Sequence, residues 1–412
     1  MTIIAPFRGV RPAKGRAEDV CAPPYDVLNS SEARERAAGR PWSFLHVSKP
    51  EIDLPEGADP YAPEVYAKAA ENFARMLEGG VLEREEAPAY YIYRLDWGEH
   101  AQTGLIAAAS VADYDSNKIR KHEHTRPVKE DDRVRQIEAV GAQTGPVMLA
   151  SPDDARITGL LARGARGAPD MDVTADDGIR HRVWIVRDEE LIEEITKAYD
   201  ALPALYIADG HHRSAAASRV CAKRAQTEPD NMNAPWRRFL SVIFPAGEMK
   251  ILDYNRVVKD LNGLSETDFL AETGKIFAVS PASGAVRPER AGVFGMYLGG
   301  KWFRLEAPAE WKRTDDPLAR LDVGILQDRL LAPVLGIDDP RTSERIDFIG
   351  GMRGLGELER RVDSGEMAVA FSLHPTSMDD LMRVADAGEV MPAKSTWFEP
   401  KLADGLVSLP LD

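Results

Sequence analysis

Short apolar runs of strand type alternate with amphipathic helical segments along most of this sequence. The clearest strand-like runs in the first half are PVMLAS (146–151), HRVWIVRD (181–188) and ALYIAD (204–209), and helical patterns fill 152–164 and 189–200. A strand pattern repeats every two residues and a helical pattern about every 3.6, so the two can be told apart. Such alternation is typical of layered proteins, and we therefore predict an α/β (mixed α+β) fold with mixed sheets.

The length of the chain indicates more than one domain. The 412 residues exceed the ~150 residues of a typical single core. A second cycle of strand and helix patterns starts near Trp236, after the polar segment QTEPDNMNAP (226–235), which carries two prolines. We therefore predict an N-terminal α/β domain over 1–230 and a C-terminal α/β domain over 231–412.

Charge and composition narrow the class of partner. The net charge of −15 disfavours a nucleic acid or an anionic membrane surface as the main partner. The longest uncharged apolar run, near Thr103–Ala112, is about half of the ~20 residues that a membrane-spanning helix needs. The N-terminal residues do not form a signal peptide pattern. Cys21 and Cys221 form no CxxC, so we expect a cytoplasmic protein without a disulfide framework.

The segment ALYIADGHHRSAAASRV (204–220) predicts a strand, a tight turn and a helix. Gly210 permits a left-handed turn after Asp209. The N–H groups that open the helix, from His211 onward, have no intrahelical partners and favour an anion. Arg213 adds a forked donor for phosphate or carboxylate, and its removal should slow a reaction strongly with little effect on folding. The alternative interpretation is an ordinary strand-to-helix turn with two surface histidines.

The segment KHEHTRPVKEDDR (121–133) is the second candidate. Between 118 and 135 there are seven basic and four acidic side chains, so the local charge is opposite to that of the whole chain, as an anion site requires. His122 and His124 face the same side of an extended chain. Asp131 and Asp132 are candidate Mg²⁺ ligands, because Mg²⁺ takes one or two carboxylates plus phosphate oxygens. The phosphate-binding candidates of this segment are His122, His124, Thr125, Arg126, Lys129 and Arg133. The alternative interpretation is a solvated charged loop.

Two further segments carry candidate residues. In CAPPYDVLN (21–29), Asp26 follows a stiff turn and is a candidate base or metal ligand, or else an N-cap or turn residue. In MPAKSTWFEPK (391–401), Lys394, Ser395, Thr396 and Lys401 are candidates for closing over a phosphate, or else belong to a loop before the last strand-like run. The sequence has no GxxxxGK[ST], GxGxxG after a strand, HExxH or GxSxG pattern, so no common nucleotide-binding or hydrolase motif is indicated.

Five segments, taken together, resemble a widespread bacterial family known as domain of unknown function 1015. They are APPYDV (22–27), KHEHTRPVKEDDR, YIADGHHR (206–213), YNRVV (254–258) and MPAKSTWFEPK. The DGHHR segment also resembles the ParB/sulfiredoxin-like superfamily, which includes nucleotide-hydrolysing partition proteins and a free-serine kinase. The resemblance implies a phosphate-binding element at Asp209–Arg213, and the family's gene neighbourhood implies serine or phosphoserine as substrate.

These observations lead to three functional hypotheses. The first is a phosphoryl-transfer enzyme on serine or phosphoserine, as a nucleotide-dependent kinase or a phosphatase, with Mg²⁺ and ATP, ADP or another nucleotide. Its candidate catalytic residues are Asp209, His211, His212, Glu123 and Asp26. The second is a non-catalytic nucleotide or metabolite sensor, and the third a ParB-like DNA-partition protein, which the acidic balance disfavours. Under the first two, we predict that the DGHHR and KHEHTRPVKEDDR segments lie within ~10 Å in one cleft.

Overall fold

The computed structural model describes residues 2–412 and divides into two compact units. The first comprises Met1–Met249 and Pro400–Asp412, and the second Lys250–Glu399. The sequence boundary expected at 230/231 falls inside the first unit. The polar segment that suggested it is a connection between a helix and the next strand of the same sheet, so its composition marks a loop and not a change of domain.

The first unit carries nine α-helices among the described residues, together with most of the strands. Its helices are α1 Ala17–Val20, α2 Ser30–Ala37, α3 Leu45–Ser48, α4 Pro63–Glu78, α5 Val111–Asp115, α6 Pro127–Val140, α7 Ala155–Gly164, α8 Glu189–Asp200 and α9 His211–Ala225. Its strands are β1 Ile4–Ala5, β2 Val10–Pro12, β3 Leu82–Arg84, β4 Tyr90–Trp97, β5 His100–Ser110, β6 Ile119–Arg120, β7 Ala142–Gln143, β8 Val147–Ser151, β9 Met171–Thr174, β10 Arg180–Val186, β11 Leu205–Asp209, β12 Arg238–Pro245 and, near the C-terminus, β21 Leu409–Pro410.

A nine-stranded mixed sheet organises this unit. Its order is β6-β11-β8-β12-β5-β4-β10-β9, with β1 also pairing with β5. The pairs β6–β11 and β8–β12 are parallel, whereas β8–β11 and the hairpin β4–β5 are antiparallel. Apolar side chains from these strands and from α7 and α8 form the main core. The predicted mixed α/β class is thereby confirmed.

Helix α6 contains the second half of the charged segment. It begins at Pro127, whose fixed φ suits the first helical position. Gly141 ends it with φ 69°, in the left-handed region that glycine adopts readily. Since α6 packs against α9, the charged segment is held beside the DGHHR turn.

The second unit is built around a six-stranded antiparallel sheet of order β15-β17-β16-β19-β14-β18. A separate pair joins β13 and β20. The helices are α10 Glu266–Ile276, α11 Asp322–Leu326, α12 Leu355–Asp363 and α13 Met378–Asp386. The strands are β13 Lys250–Leu252, β14 Tyr254–Val258, β15 Ala278–Ala282, β16 Val293–Leu298, β17 Lys301–Glu306, β18 Ile346–Gly350, β19 Val369–Leu373 and β20 Trp397–Glu399.

Two local features define helices of the second unit. The side chain of Ser265 accepts a hydrogen bond from the backbone N–H of Asp268, as a residue that caps a helix does. A π-helical turn at Gln327–Leu331 follows α11 directly. Within residues 2–412, no helix is both long and apolar enough to cross a membrane.

Candidate functional site

The DGHHR segment forms the predicted strand-to-helix turn. Asp209 ends β11 at a break in the strand register opposite Met148, and such irregularities redirect a side chain at the end of a strand. Gly210 has φ 99°, and a Cβ there would lie 3.1 Å from Arg213 Nε and 3.3 Å from Val147 Cα. Helix α9 starts directly after it, so the helix N-terminus with its partial positive charge stands beside the Asp209 carboxylate.

Arg213 lies inside this turn and does not face solvent. Its Nη1 donates to the carbonyl of Pro146, and its Nη2 lies 3.7 Å from Asp26 Oδ2 and 3.8 Å from Asp209 Oδ1. Burial alone would lower the pKa of Arg213, but the two carboxylates outweigh it and raise the pKa above its usual range. We expected a donor that reaches out to phosphate; the structure instead places a buried cation that holds two carboxylates in position.

Lys401 contacts Asp209 from the C-terminal part of the first unit. Its Nζ donates to Asp209 Oδ2 at 3.1 Å. Burial alone would raise the pKa of Asp209, but the charges of Lys401 and then Arg213 outweigh it and hold the pKa well below its usual range. Asp209 is therefore an ionised carboxylate at neutral pH, flanked by two cations.

The carboxyl group of Asp404 is buried near Arg213. Asp404 is 1% exposed, its Oδ1 has no hydrogen-bond partner among the described residues, and its backbone pairs with Ala22. Burial raises its pKa to about 7, against the opposing charge of Arg213. The backbone pairing of Ala22 with Asp404 places the APPYDV segment next to Arg213. In this segment, the ring of Tyr25 stacks against the guanidinium of Arg133, whose Cζ lies 3.9 Å from the ring centre.

The predicted contact between the two charged segments is confirmed. The rings of His122 and His211 meet edge to face with centroids 4.5 Å apart, and the backbone N–H of His122 donates to His211 Nε2 at 3.4 Å. Both rings are buried, and burial lowers the pKa of each, to about 4 for His122 and well below the usual value for His211. The proton of neutral His211 therefore sits on Nδ1, 3.5 Å from Glu123 Oε2.

His212 makes the second contact between the segments. Its Nε2 accepts from the backbone N–H of Arg126 at 3.0 Å. Burial, and next the charge of Arg126, lower the pKa of this half-buried histidine. The ring is therefore neutral with its proton on Nδ1, which makes it a hydrogen-bond donor and not a nucleophile.

The remaining candidates of the charged segment differ in exposure. The side chains of His124 and Arg126 are exposed. Thr125 donates to Glu130, and Lys129 donates to the hydroxyl of Tyr61 at 2.9 Å. Arg126 is thus the cation of this segment that is both exposed and adjacent to α9. We call the N-terminus of α9 together with Asp209, Lys401, His212 and Arg126 the anion site.

Asp131 and Asp132 do not share a site. Asp131 pairs with Arg219 on α9 at 2.7 Å, whereas the buried Asp132 accepts from Arg133 and from Tyr66. Neighbours on a helix point about 100° apart, so the two carboxylates face different partners. Within residues 2–412, no group of three or more His, Cys, Asp or Glu side chains could hold a metal ion.

Lys394, Ser395 and Thr396 lie in the second unit, in the loop before β20. Lys394 adopts φ 58°, and its carbonyl accepts from Arg256 at 3.0 Å. Ser395 is buried and donates to the carbonyl of Pro392 at 2.5 Å. Their expected role at a phosphate remains a prediction.

Sequence reasoning named Lys401 as a candidate for closing over a phosphate and assigned no role to Asp404. Lys401 ends the MPAKSTWFEPK segment, and Asp404 follows three residues later in an Asp-Gly pair. The sequence does not identify the partner of Lys401, because Asp209 lies 192 positions earlier in the chain.

Residues 4–324 match the family model described as "Protein of unknown function (DUF1015)". The chain belongs to the DUF1015 family. The match covers the APPYDV, KHEHTRPVKEDDR, YIADGHHR and YNRVV segments and extends into the second unit, whereas MPAKSTWFEPK at 391–401 lies beyond the matched residues. No curated protein sequence matches this DUF1015 chain significantly.

Three solved structures are similar to this DUF1015 protein at low levels. A free serine kinase in complex with AMP has 15% identity and TM-score 0.34, covering 71% of this chain and 86% of that one. A conserved hypothetical protein from Pyrococcus furiosus has 15% identity and TM-score 0.34, covering 73% and 94%. SbnI from Staphylococcus aureus, truncated at its C-terminus, has 11% identity and TM-score 0.37, covering 72% and 84%. Likenesses this weak carry no argument about activity.

Proposed function

We propose that this DUF1015 protein is a phosphoryl-transfer enzyme for a small hydroxyl metabolite of the serine or phosphoserine class. The direction is that of a nucleotide-dependent kinase or of a phosphoserine phosphatase. The observation that carries the proposal is the ionised Asp209, held between Lys401 and Arg213 at the N-terminus of α9. Phosphoryl transfer requires a group that positions the attacking oxygen and a surrounding of donors that neutralises charge, and this arrangement supplies both.

The roles follow from the geometry. The substrate hydroxyl, or a water in the phosphatase direction, donates a hydrogen bond to Asp209 and is aimed at phosphorus. The oxygen–phosphorus bond forms, the bond from phosphorus to its original oxygen breaks, and the leaving oxygen keeps the electron pair. Because its pKa is held low, Asp209 is a weak base that takes the proton only as the new bond forms.

The donors of the anion site stabilise the phosphoryl oxygens. The first N–H groups of α9, the Nδ1–H of His212 and the guanidinium of Arg126 are the groups on this side. Glu123 keeps the tautomer of His211 through Nδ1, and His211 positions the backbone of His122. The two segments contain four histidines: His122, His124, His211 and His212. The rings of His122 and His211 are buried, and His212 acts as a hydrogen-bond donor. The geometry therefore does not favour a phosphohistidine intermediate on any of these three residues.

Mg²⁺ is part of the proposal as the ion that neutralises donor phosphates. The exposed carboxylate of Asp26 would hold it together with phosphate oxygens, which fits the preference of Mg²⁺ for one or two protein carboxylates. Asp209 is paired with Lys401 and remains the acceptor of the substrate hydroxyl. ATP, ADP or another phosphoanhydride would be the phosphate donor in the kinase direction.

A non-catalytic sensor is the second candidate. The observation in its favour is the burial of Arg213, whose bonds to Pro146 and to two carboxylates complete a rigid cradle without a moving part. Such a cradle would bind a nucleotide or metabolite without turnover. A DNA-partition role has no comparable support, because the chain carries a net charge of −15.

Phosphorus NMR of the purified protein with Mg²⁺ tests the proposal. One sample contains phosphoserine, alone and with ADP; the other contains serine with ATP, ADP or pyrophosphate. Free phosphate from phosphoserine alone indicates a phosphatase, and nucleotide-dependent exchange indicates a kinase. If no sample shows turnover but a ligand raises the melting temperature, the result would contradict the enzymatic function and support the non-catalytic sensor.

A further inference from the structure

A cavity of ≈ 310 Å³ lies in the first unit next to the anion site. Its walls come from Cys21–Pro24, from the loop 39–43, from the end of β9 and the turn after it, from His181 and from Lys401–Ala403. The volume is at the lower end of the range of ligand pockets, which suits a small metabolite. Cavities of this kind are usually lined by apolar side chains with a few polar ones, whereas this one is lined largely by charged and polar groups.

The inner end of the cavity carries a histidine with a fixed tautomer. The backbone N–H of Ala403 donates to the hydroxyl oxygen of Tyr93, and that hydroxyl lies 2.6 Å from His181 Nδ1. Tyr93 is buried, so donation of its own proton to Nδ1 is the arrangement that leaves no hydroxyl proton unpaired. His181 then carries its proton on Nε2 and offers a donor to the cavity that its ring lines.

Cys21 lines the same region but is not a nucleophile there. Burial raises the pKa of its thiol to about 12, and the nearby carboxylate of Asp177 adds to the effect. The thiol therefore stays protonated at neutral pH and acts as a small, weakly polar wall. Covalent thiol chemistry in the cavity is not favoured, and binding is the function left to it.

The charges around the cavity are nearly balanced. Four carboxylates and three cations line it: Glu18, Asp19, Asp176, Asp177, Arg36, Arg40 and Lys401. Arg40 forms a two-bond pair with Asp176, and Arg36, one turn earlier in the chain, is exposed. A site for a polyphosphate has an excess of positive charge. This lining instead fits a ligand that carries one negative and one positive group.

Lys401 connects the cavity with the anion site. It lines the cavity, and its Nζ bonds Asp209 Oδ2 at 3.1 Å. The turn Pro23–Pro24 also lines the cavity and leads directly into Tyr25 and Asp26. A small ligand in the cavity therefore lies within the length of one side chain of the Asp209 carboxylate.

We infer that this cavity binds the phosphoryl acceptor, a small zwitterion with a carboxylate, an ammonium group and a hydroxyl. The carboxylate lies toward Arg36 and the His181 donor, the ammonium toward Asp177, and the hydroxyl toward Lys401, whose ammonium group contacts Asp209. This inference rests on the proposed function for the fate of the hydroxyl, but the binding itself does not require turnover. It adds a subsite separate from the helix N-terminus, which takes the phosphate.

Calorimetric titration of the full chain with three probes tests the ligand class. The probes are L-serine, L-glycerate, which has a hydroxyl in place of the ammonium at the same configuration, and ethanolamine, which lacks the carboxylate. Each is titrated with and without Mg²⁺ and a phosphate donor analogue. We expect a dissociation constant for L-serine at least tenfold lower than for the other two. Equal or tighter binding of L-glycerate, or no binding of L-serine under any of these conditions, would overturn the inference.

Variants of the cavity test the place of binding. Arg36→Ala removes an exposed cation of the lining and should raise the dissociation constant of L-serine at least tenfold. Thr174→Trp, an exposed position on β9 that lines the cavity, should obstruct it and have a similar effect. The matched control is Arg156→Ala, an exposed arginine on α7 outside the lining, which should change the constant less than twofold. Unchanged L-serine binding in both cavity variants would contradict the inference.

The two proposals fail separately. If Arg36→Ala weakens L-serine binding but the protein shows no phosphoryl transfer, the cavity assignment is supported and the proposed enzymatic function is contradicted. If the protein transfers phosphate to serine with an unchanged KM in both cavity variants, the enzymatic function is supported and the cavity assignment is contradicted. Thermal unfolding of every variant establishes that it is folded before its binding is compared.

Discussion

Lys401 donates from its ammonium group to Asp209 at 3.1 Å, although the two residues are 192 positions apart in the chain. The contact places a cation from the C-terminal residues of the first unit at the end of β11, beside the N-terminus of α9. Because Lys401 and Arg213 flank one carboxylate, Asp209 stays ionised and fixed in direction. The proposed chemistry depends on this pair more than on any other contact.

Replacing Lys401 by methionine should lower turnover about a hundredfold, a magnitude typical of a lost electrostatic contact at a reacting group. Without the ammonium, the pKa of Asp209 moves up towards its usual range. The acid limb of the pH–rate profile should therefore shift to higher pH, which a purely structural role would not produce. Lys401→Arg keeps the charge and should recover part of the rate; an unshifted profile in Lys401→Met would contradict the role.

Arg213→Ala should destabilise the fold as well as abolish activity. The sequence predicted little effect on folding, but the guanidinium is buried against two carboxylates and a carbonyl. Removal of one partner from a fully buried ion pair costs about 3–5 kcal/mol. The loss here should be smaller, because the side chains of Asp26 and Asp209 are 40% and 32% exposed. Urea unfolding measures the loss, with Arg219→Ala as the control on the same helix, because its exposed pair with Asp131 should contribute less than ~1 kcal/mol. Equal stabilities of the two variants would refute the account of Arg213.

Arg126→Ala should weaken phosphate-containing ligands about tenfold without changing the melting temperature. The side chain is exposed and lies beside His212, while its backbone N–H, which binds His212, is unaffected by the substitution. The measurement is a titration of the ligand against the variant and against Arg156→Ala. Weakening should be smaller at high salt, since exposed charges are screened. The same affinity in both variants would remove Arg126 from the anion site.

The protein should lose stability as the pH falls from about 6.5 to about 4. Burial lowers the pKa of His122 and His181 to about 4, so between these pH values the unfolded chain binds protons that the folded one does not. Stability therefore rises with pH across this window, by up to ~3 kcal/mol for each such histidine. Urea unfolding from pH 4 to 7 measures the slope. His122→Gln should flatten it, whereas His100→Gln, at the partly exposed β4–β5 hairpin, serves as the control.

Local sequence patterns were sufficient to predict the strand, the turn and the helix that carry the site. The pattern of ALYIADGHHR predicted a strand, a glycine turn and a helix, because each depends on neighbouring residues only. The contact of this turn with KHEHTRPVKEDDR was expected from the family resemblance. It is made through the pair of His122 and His211 and through the backbone N–H of Arg126, which donates to His212. The ParB-like relationship of the turn remains a resemblance.

The partners of individual side chains were not predictable in the same way. The DGHHR segment suggested that Arg213 faces a ligand. Whether its guanidinium is buried, however, depends on carboxylates from segments that are distant in sequence, in this case the carboxylate of Asp26. Asp131 and Asp132 are adjacent in sequence, yet the turn of α6 directs them to Arg219 and Arg133. The contact of Lys401 exists only because the chain returns to the first unit after Glu399.

The most direct test of the account is phosphoserine turnover by the Asp209→Asn protein, measured by phosphorus NMR beside the unmodified protein. Asparagine has nearly the same size and keeps a hydrogen-bond acceptor but has no charge, so the fold should persist. The account predicts transfer or hydrolysis by the unmodified protein and a loss of at least a hundredfold in Asp209→Asn. The variant should have a lower melting temperature, because the charge that faces Lys401 and Arg213 is gone, but should still be folded at the assay temperature. Equal turnover by the two proteins would contradict it.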